Sequence, residues 1–264
     1  VISSNCSNIG RKLDVKKRLL AFCFIVLVLC LSPLLAAKDP FSLPVSTVVL
    51  DAGHGGKDPG TSASYGFSGG TINESELVLD ITKRVYSLLS VERPDLRLVM
   101  TRTDDTYVSL AERSRVAYST ELPPQSSLLF VSIHVNSAQS REASGFEVLT
   151  KRQEKRVAFL DEHTPIKNIP LFAPFTALEL NRLLNQRNLF VAQTFEEVLS
   201  QRMVTSRNRG IKERDLYVLN ASRGPAVLLE LGFLSNEGEA RNIISPAWRQ
   251  QVAMAITVAI IACV

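Results

Sequence analysis

The stretch Val45-Ser46-Thr47-Val48-Val49-Leu50-Asp51-Ala52-Gly53-His54-Gly55-Gly56-Lys57-Asp58-Pro59-Gly60 decides how the rest of the chain is read. Residues 45–50 are a β-branched, apolar run of the kind found in buried strands. Residues 51–60 then place four glycines around one histidine, which lets the backbone turn tightly beside a ligand. A buried strand that empties into such a turn marks the carboxyl end of a strand in an open α/β sheet, the edge where these sheets bind ligands.

Working outward, strands alternate with helices. Residues 74–90 carry Leu77, Ile81, Val85, Leu88 and Leu89 at helical spacing, and 110–119 reads as a second helix. Strands are expected at 96–101, 128–133, 146–149, 216–219 and 226–231, and 128–133 is apolar throughout, as for a strand covered on both faces. The final segment, 246–264, is apolar nearly all round and short for a membrane span, so it is read as a buried core helix. The alternation predicts an α/β fold, a mostly parallel twisted central sheet with helices on both faces, in a single phosphorylase/hydrolase-like domain. Residues 151–175 break the rhythm with Lys151-Arg152, Lys155-Arg156 and three prolines, and a long helix follows over 176–202. The break reads as an inserted arm within a domain spanning 38–264.

Composition bounds the function. With 45% apolar and 21% charged residues in 264, the chain is rich enough to fold around a core. The formal charge of +4 is local. Arg11, Lys12, Lys16, Lys17 and Arg18 stand against Asp14 alone, so the remainder is neutral and a nucleic-acid partner has no basic field to bind. That basic cluster runs into thirteen apolar residues at 19–31 and small residues at Ala36-Ala37, the pattern of a secretory signal. Residues 1–37 are therefore read as a signal peptide, or as an N-terminal membrane anchor if retained. Either way the domain is exported, and the N-terminal segment is its one tie to a membrane. Cys6, Cys23 and Cys30 fall in this leader, and 31–262 contains no cysteine, so no disulfide framework supports the fold.

The residues with chemical potential gather at strand ends. Besides His54, the strand at 128–133 ends in His134-Val135-Asn136, and the one at 226–231 contains Glu230. Glu74 opens the first helix after a glycine-rich loop. Two imidazoles and a carboxylate form a common catalytic zinc set, and a further carboxylate can then move protons. Glu230 suits that second role, because an ionisable group deep in an apolar strand needs a partner or a task. Plainer readings remain for each. His54 can cap a turn and His134 can be a core histidine. Glu74 can answer the helix dipole, with Glu76 a competitor for any ligand role. Glu230 can pair with Arg102 or Arg113. His163 lies among charges in the arm and is read as solvated.

Taken in order, these motifs resemble one family. Val49-Leu50-Asp51-Ala52-Gly53-His54-Gly55-Gly56, Glu74 ahead of Leu77, Leu79 and Ile81, Thr101-Arg102 with Asp104, and Ser132-Ile133-His134-Val135-Asn136-Ser137 are similar to motifs of the zinc-dependent N-acetylmuramoyl-L-alanine amidases. So are Gly145-Phe146-Glu147-Val148, Arg209-Gly210-Ile211-Lys212 and Leu229-Glu230-Leu231-Gly232-Phe233-Leu234-Ser235-Asn236. The resemblance implies a peptidoglycan hydrolase of the periplasm or cell envelope, cutting the amide between N-acetylmuramic acid and the L-alanine of the stem peptide. It implies one zinc ion held by His54, Glu74 and His134, with Glu230 as catalytic base and acid, and its leucine pattern selects Glu74 over Glu76. It also implies that 151–175 can be a regulatory arm answering an activator protein, beside the plainer reading of a surface elaboration with no regulatory role. The position and polarity of the insertion make Glu154, Glu162 or Glu179 candidate plugs of the metal site. Two alternatives stand beside it, a zinc peptidase on other cell-wall peptides and a catalytically silent wall-binding module.

Overall fold

A computed structural model describes residues 38–264. The leader expected over 1–37 lies outside the described residues. The β-branched run becomes β1 (Val45–Ala52). A short hairpin follows, β2 (Ser62–Ser64) and β3 (Thr71–Asn73), then α1 (Glu74–Glu92), β4 (Arg97–Met100) and α2 (Leu110–Tyr118). Next come β5 (Ser127–Asn136), β6 (Phe146–Lys151), a one-turn α3 (Ile169–Phe172) and α4 (Ala177–Arg202). The chain ends with β7 (Asn208–Arg214), α5 (Tyr217–Ala221), β8 (Ala226–Phe233), α6 (Glu237–Ile243) and α7 (Pro246–Cys263).

The main sheet has the order β4-β1-β5-β8-β6-β7. β4, β1, β5 and β8 are parallel, β6 runs antiparallel to β8, and β7 is parallel to β6. The expected fold class therefore holds, with a reversed pair at one side. Alternation along the strands separates two faces. Val48, Leu50, Ile133 and Leu229 point to one, beneath α1, α4 and α7. Val49, Phe130, Leu149 and Leu228 point to the other, beneath α2 and α5. The helix starts follow from local chemistry. Ser109 with Glu112, and Thr176 with Glu179, each close a capping box that satisfies orphan amides at the first turn. α7 is a core helix, with Val252, Ala253, Ile256, Ala259 and Ile260 all buried. Among the described residues no helix is long and apolar enough to cross a membrane.

Two expectations are corrected. Residues 216–219 are not a strand; Tyr217–Ala221 forms the short helix α5 instead. The strand lies just upstream at Asn208–Arg214, where the sequence reading expected none. β7 is an edge strand carrying four charged residues, so it lacks the apolar alternation that reveals a half-buried strand. The apolar run after it folds back, and Val218 and Leu219 cover the sheet face.

The arm at 151–175 packs at the amino edge of the sheet. β6 runs against β8, so its end at Lys151 delivers the chain to that edge. There Arg223, just before β8, pairs with Asp161, and Asn168 bonds to Thr120 and Leu122 ahead of β5. Phe159 and Phe172 pack on Phe41 with Leu180 and Leu184 of α4. The functional edge lies at the other end of β5, about 23 Å away at 3.3 Å per residue. A plug in the metal site is not what this arm forms.

One buried network fixes the opposite, carboxyl edge. Asp51 Oδ1 accepts from Arg113 Nη1 at 2.7 Å and Thr101 Oγ1 at 2.6 Å, while Oδ2 accepts from Ser132 Oγ at 2.6 Å. It thus ties β1 to α2, to the end of β4 and to β5. Arg113 also donates to the carbonyls of Ala52 and His54, and Arg102 to those of Ala52, Gly53 and Ser75. The turn that carries His54 is pinned by two guanidinium groups. Burial alone would raise the Asp51 carboxyl above its ordinary 3.8, but the Arg113 charge and the hydrogen bonds overcome this and hold it lower.

Two measurements test this architecture. A carboxyl held low stabilises the fold above about pH 4, and the gain fades as acid protonates the folded state. Asp51→Asn should therefore cost about 3 kcal/mol at neutral pH, by stranding buried Arg113, and the gap to the unaltered chain should narrow in urea titrations carried below pH 4. Phe172→Ala should cost about 3 kcal/mol in the same assay, as for an aromatic side chain lost from a packed cluster; a surface flap would show almost no change.

Candidate metal centre

Three of the residues singled out from sequence meet at the carboxyl edge. His54 follows β1 with φ of 59°, a left-handed conformation uncommon for a residue with a side chain. The pinned carbonyls around it hold it there. Its Nδ1 lies 2.9 Å from Asp58 Oδ2, which fixes the ring, and its Nε2 lies 3.2 Å from Glu74 Oε1. His134, near the end of β5, brings Nδ1 to 3.0 Å from the same Glu74 oxygen. The two imidazoles meet edge to face, with centroids 4.9 Å apart. One ligand atom from each residue falls within 4.8 Å of the other two.

Glu74 is buried, and the backbone holds both its oxygens. Val135 N donates to Oε1 and Thr61 N donates to Oε2, each at 3.0 Å. Burial raises its pKa, but the hydrogen bonds and charges of His134 and His54 outweigh that and keep it ionised far below the ordinary range. Burial likewise lowers His54, yet Glu74 and then Asp58 carry it up to about 9. Two glycines make room. A Cβ on Gly53 would lie 2.2 Å from the His134 ring, and one on Gly60 would lie 2.6 Å from Glu74 Oε2. Glu76 bonds to Asn73 on the surface and stays away from the cluster.

Glu230 lies on β8 directly opposite His134 in the parallel register. Its Oε2 is buried and has no hydrogen-bond partner among the described residues. Arg102 and Arg113, the alternative partners, are both spent on the His54 turn. Burial is the main cause pushing the Glu230 carboxyl up to about 7, against the pull of the His134 charge. A buried acid without a partner, next to three converging ligands, is poised to gain and lose a proton. A cavity on this side is lined by His54, His134 and Asp58 together with Tyr107, Val108, Leu216 and Tyr217.

The candidate plugs lie elsewhere. Glu154 faces Arg152, Glu162 sits beside His163 on the surface, and Glu179 closes the α4 cap. His163 is exposed, as expected. An activator acting on this arm would find no plug to withdraw. The sequence reading missed three contributors: Asp58, the Asp51 network, and Glu147, which stands opposite Glu230 on β6. Glu147 carried the signal that revealed Glu230, a lone charge inside an apolar strand.

The donors fit a zinc ion. Two imidazole nitrogens and one carboxylate oxygen converge, and the carboxylate is ionised and fixed by backbone amides, as zinc ligands of a catalytic site require.

Comparison with known proteins agrees with this geometry. Residues 48–262 match the family described as N-acetylmuramoyl-L-alanine amidase. A probable N-acetylmuramoyl-L-alanine amidase AmiB of Haemophilus influenzae is 32% identical over 235 residues, 82% of this chain and 51% of its own length. The chain thus spans about half of that relative. An uncharacterized protein YqiI of Bacillus subtilis is also 32% identical, covering 90% of this chain and 93% of its own. Among solved structures, an N-acetylmuramoyl-L-alanine amidase of Clostridium difficile aligns with a TM-score of 0.62 and 28% identity, over 83% of this chain and 96% of that one. The match spans His54, His134, Glu74, Glu230 and every strand of the sheet but the first three residues of β1: the chain belongs to the N-acetylmuramoyl-L-alanine amidase family and is an amide hydrolase.

Proposed function

We propose that this protein is a zinc-dependent hydrolase of exported peptidoglycan, cleaving the amide between N-acetylmuramic acid and the L-alanine of the stem peptide. The observation that carries the reading is the unpaired Glu230 carboxyl beside three converging metal donors. A silent wall-binding module has no use for a buried, unpartnered acid, whose desolvation costs stability.

His54, Glu74 and His134 would hold the ion. Zinc there would supply a fixed positive charge that acidifies water and polarises a carbonyl oxygen. The protein's own groups do the rest. Asp58 and the carbonyl clamps of Arg102 and Arg113 hold the His54 ring against drift. Val135 N and Thr61 N hold Glu74. Glu230, near neutrality in its proton affinity, takes the proton of the attacking water and returns it to the departing nitrogen. A neutral amine leaves, and the glutamate is restored.

An exported site of action follows from the substrate, which lies outside the cytoplasm, and accords with the leader expected over 1–37. A zinc peptidase on other wall peptides would share every ligand. Intact murein and free stem peptides separate the two, since an amidase releases peptides with a free L-alanine amino group from murein and leaves free peptides uncut.

Two results are expected. Glu230→Gln retains one zinc per chain by metal analysis and loses about 100-fold or more in peptide release from murein, the range for loss of a general acid–base group. Full activity in that variant would refute the role. Adding zinc to metal-free protein raises the unfolding temperature through linkage, and His54→Ala removes that rise; a rise that survives the substitution would place the ion elsewhere.

A further inference from the structure

The register lines up chemistry across the sheet. His134 on β5 is opposite Glu230 on β8, and Glu230 is opposite Glu147 on β6. Directly opposed residues point to one face, so these three groups form a row along the carboxyl edge. β7 continues the row beyond Glu147.

On β7 a bulge brings two cations to bear on Glu147. In a regular strand Arg209 and Lys212, three residues apart, would face opposite sides. Here the pairing shifts, so that Phe146 to Val148 on β6 spans Asn208 to Ile211 on β7. Gly210 takes a φ of 77°, a conformation suited to glycine, and absorbs the extra residue. Both cations then face the buried Glu147: Arg209 Nε is 2.5 Å and Lys212 Nζ is 2.8 Å from the same oxygen. Arg209 also stacks on the Phe233 ring and donates from Nη1 to Ser144 O. Two positive groups on one carboxylate leave a net charge of +1. Donors remain unspent among the described residues, on Arg209 Nη2 and on the Lys212 ammonium. The side chains are 25% and 28% exposed, so these donors open to solvent.

We propose that Arg209 and Lys212, held in place by Glu147, form a subsite for a carboxylate on the peptide side of the substrate. This rests on the amidase reading above and adds the direction in which the substrate lies. Glu230 protonates the departing nitrogen, so the leaving peptide extends from Glu230 away from the metal donors, along the row toward β7. The muramic acid side then lies over the cavity that Tyr107 and Tyr217 line beside the two histidines. Its lactyl carboxyl is consumed in the amide, which leaves the stem peptide as the source of negative charge. β7 is two strand spacings from β8, about 10 Å, or the reach of two to three extended residues. The subsite therefore selects an acidic side-branch carboxylate close to the L-alanine.

The test uses the zinc-loaded full chain and two soluble muramoyl-peptides, one with free peptide carboxylates and one with those carboxylates amidated. The unaltered enzyme should favour the free acid in kcat/KM. Lys212→Met should lower kcat/KM for the free acid by about 10-fold to 100-fold, the loss of one charge-assisted hydrogen bond, chiefly through KM. The loss on the amidated compound should be several times smaller, and Lys212→Arg should restore the preference. Equal cleavage of both compounds by the unaltered enzyme, or an equal loss on both in Lys212→Met with an unchanged unfolding temperature, overturns the subsite and leaves the amidase reading standing. If Lys212→Met fails to fold, the comparison of the two compounds on the unaltered enzyme and on Lys212→Arg still decides. Failure of the unaltered enzyme to cut either compound overturns the amidase reading, and the subsite with it.

Discussion

Burying the Asp51 carboxylate would cost several kcal/mol if it stood alone. It is tolerated because Arg113, Thr101 and Ser132 arrive from a helix, the end of β4 and the adjacent strand β5 to satisfy it. That requirement fixes where α2 sits and how β1, β4 and β5 align at their carboxyl ends. Arg113 and Arg102 also donate to the carbonyls of residues 52–54 and 75. The backbone at His54 is thereby held in a left-handed conformation it would not choose unaided. The position of the candidate metal donors is a consequence of this one buried charge and the groups drawn to it.

The other carboxylates follow the same logic with different outcomes. Glu74 is surrounded by imidazoles and amide donors, and stays ionised. Glu147 receives a guanidinium and an ammonium, and stays ionised. Glu230 alone is left without a donor, so its proton affinity rises toward neutrality. Four acidic residues at one sheet edge thus divide into three held ionised and one whose proton affinity is raised, by environment alone.

Much of this was legible in the sequence. The buried run at 45–50, its glycine-rich exit, His134 at a strand end and Glu230 inside an apolar strand pointed to the fold class and to the four residues now found together. Residues 209–214 were not legible as a strand, because an edge strand with charges on both sides has no apolar period. Residues 216–219 misled because a short apolar run fits a covering helix as well as a strand. The arm could be found by its prolines but not located. Only the antiparallel sense of β6 sends it to the amino edge, and strand sense is a tertiary property.

The central claim is that His54, Glu74 and His134 share one ion while Glu230 stands outside its ligand set. Anomalous diffraction at the zinc edge, from crystals of the purified protein, tests it most directly. The account predicts a single strong peak within bonding distance of all three residues, with the Glu230 carboxyl beside it but unbonded. A peak at another site, or one in which Glu230 replaces Glu74 as a ligand, would contradict it.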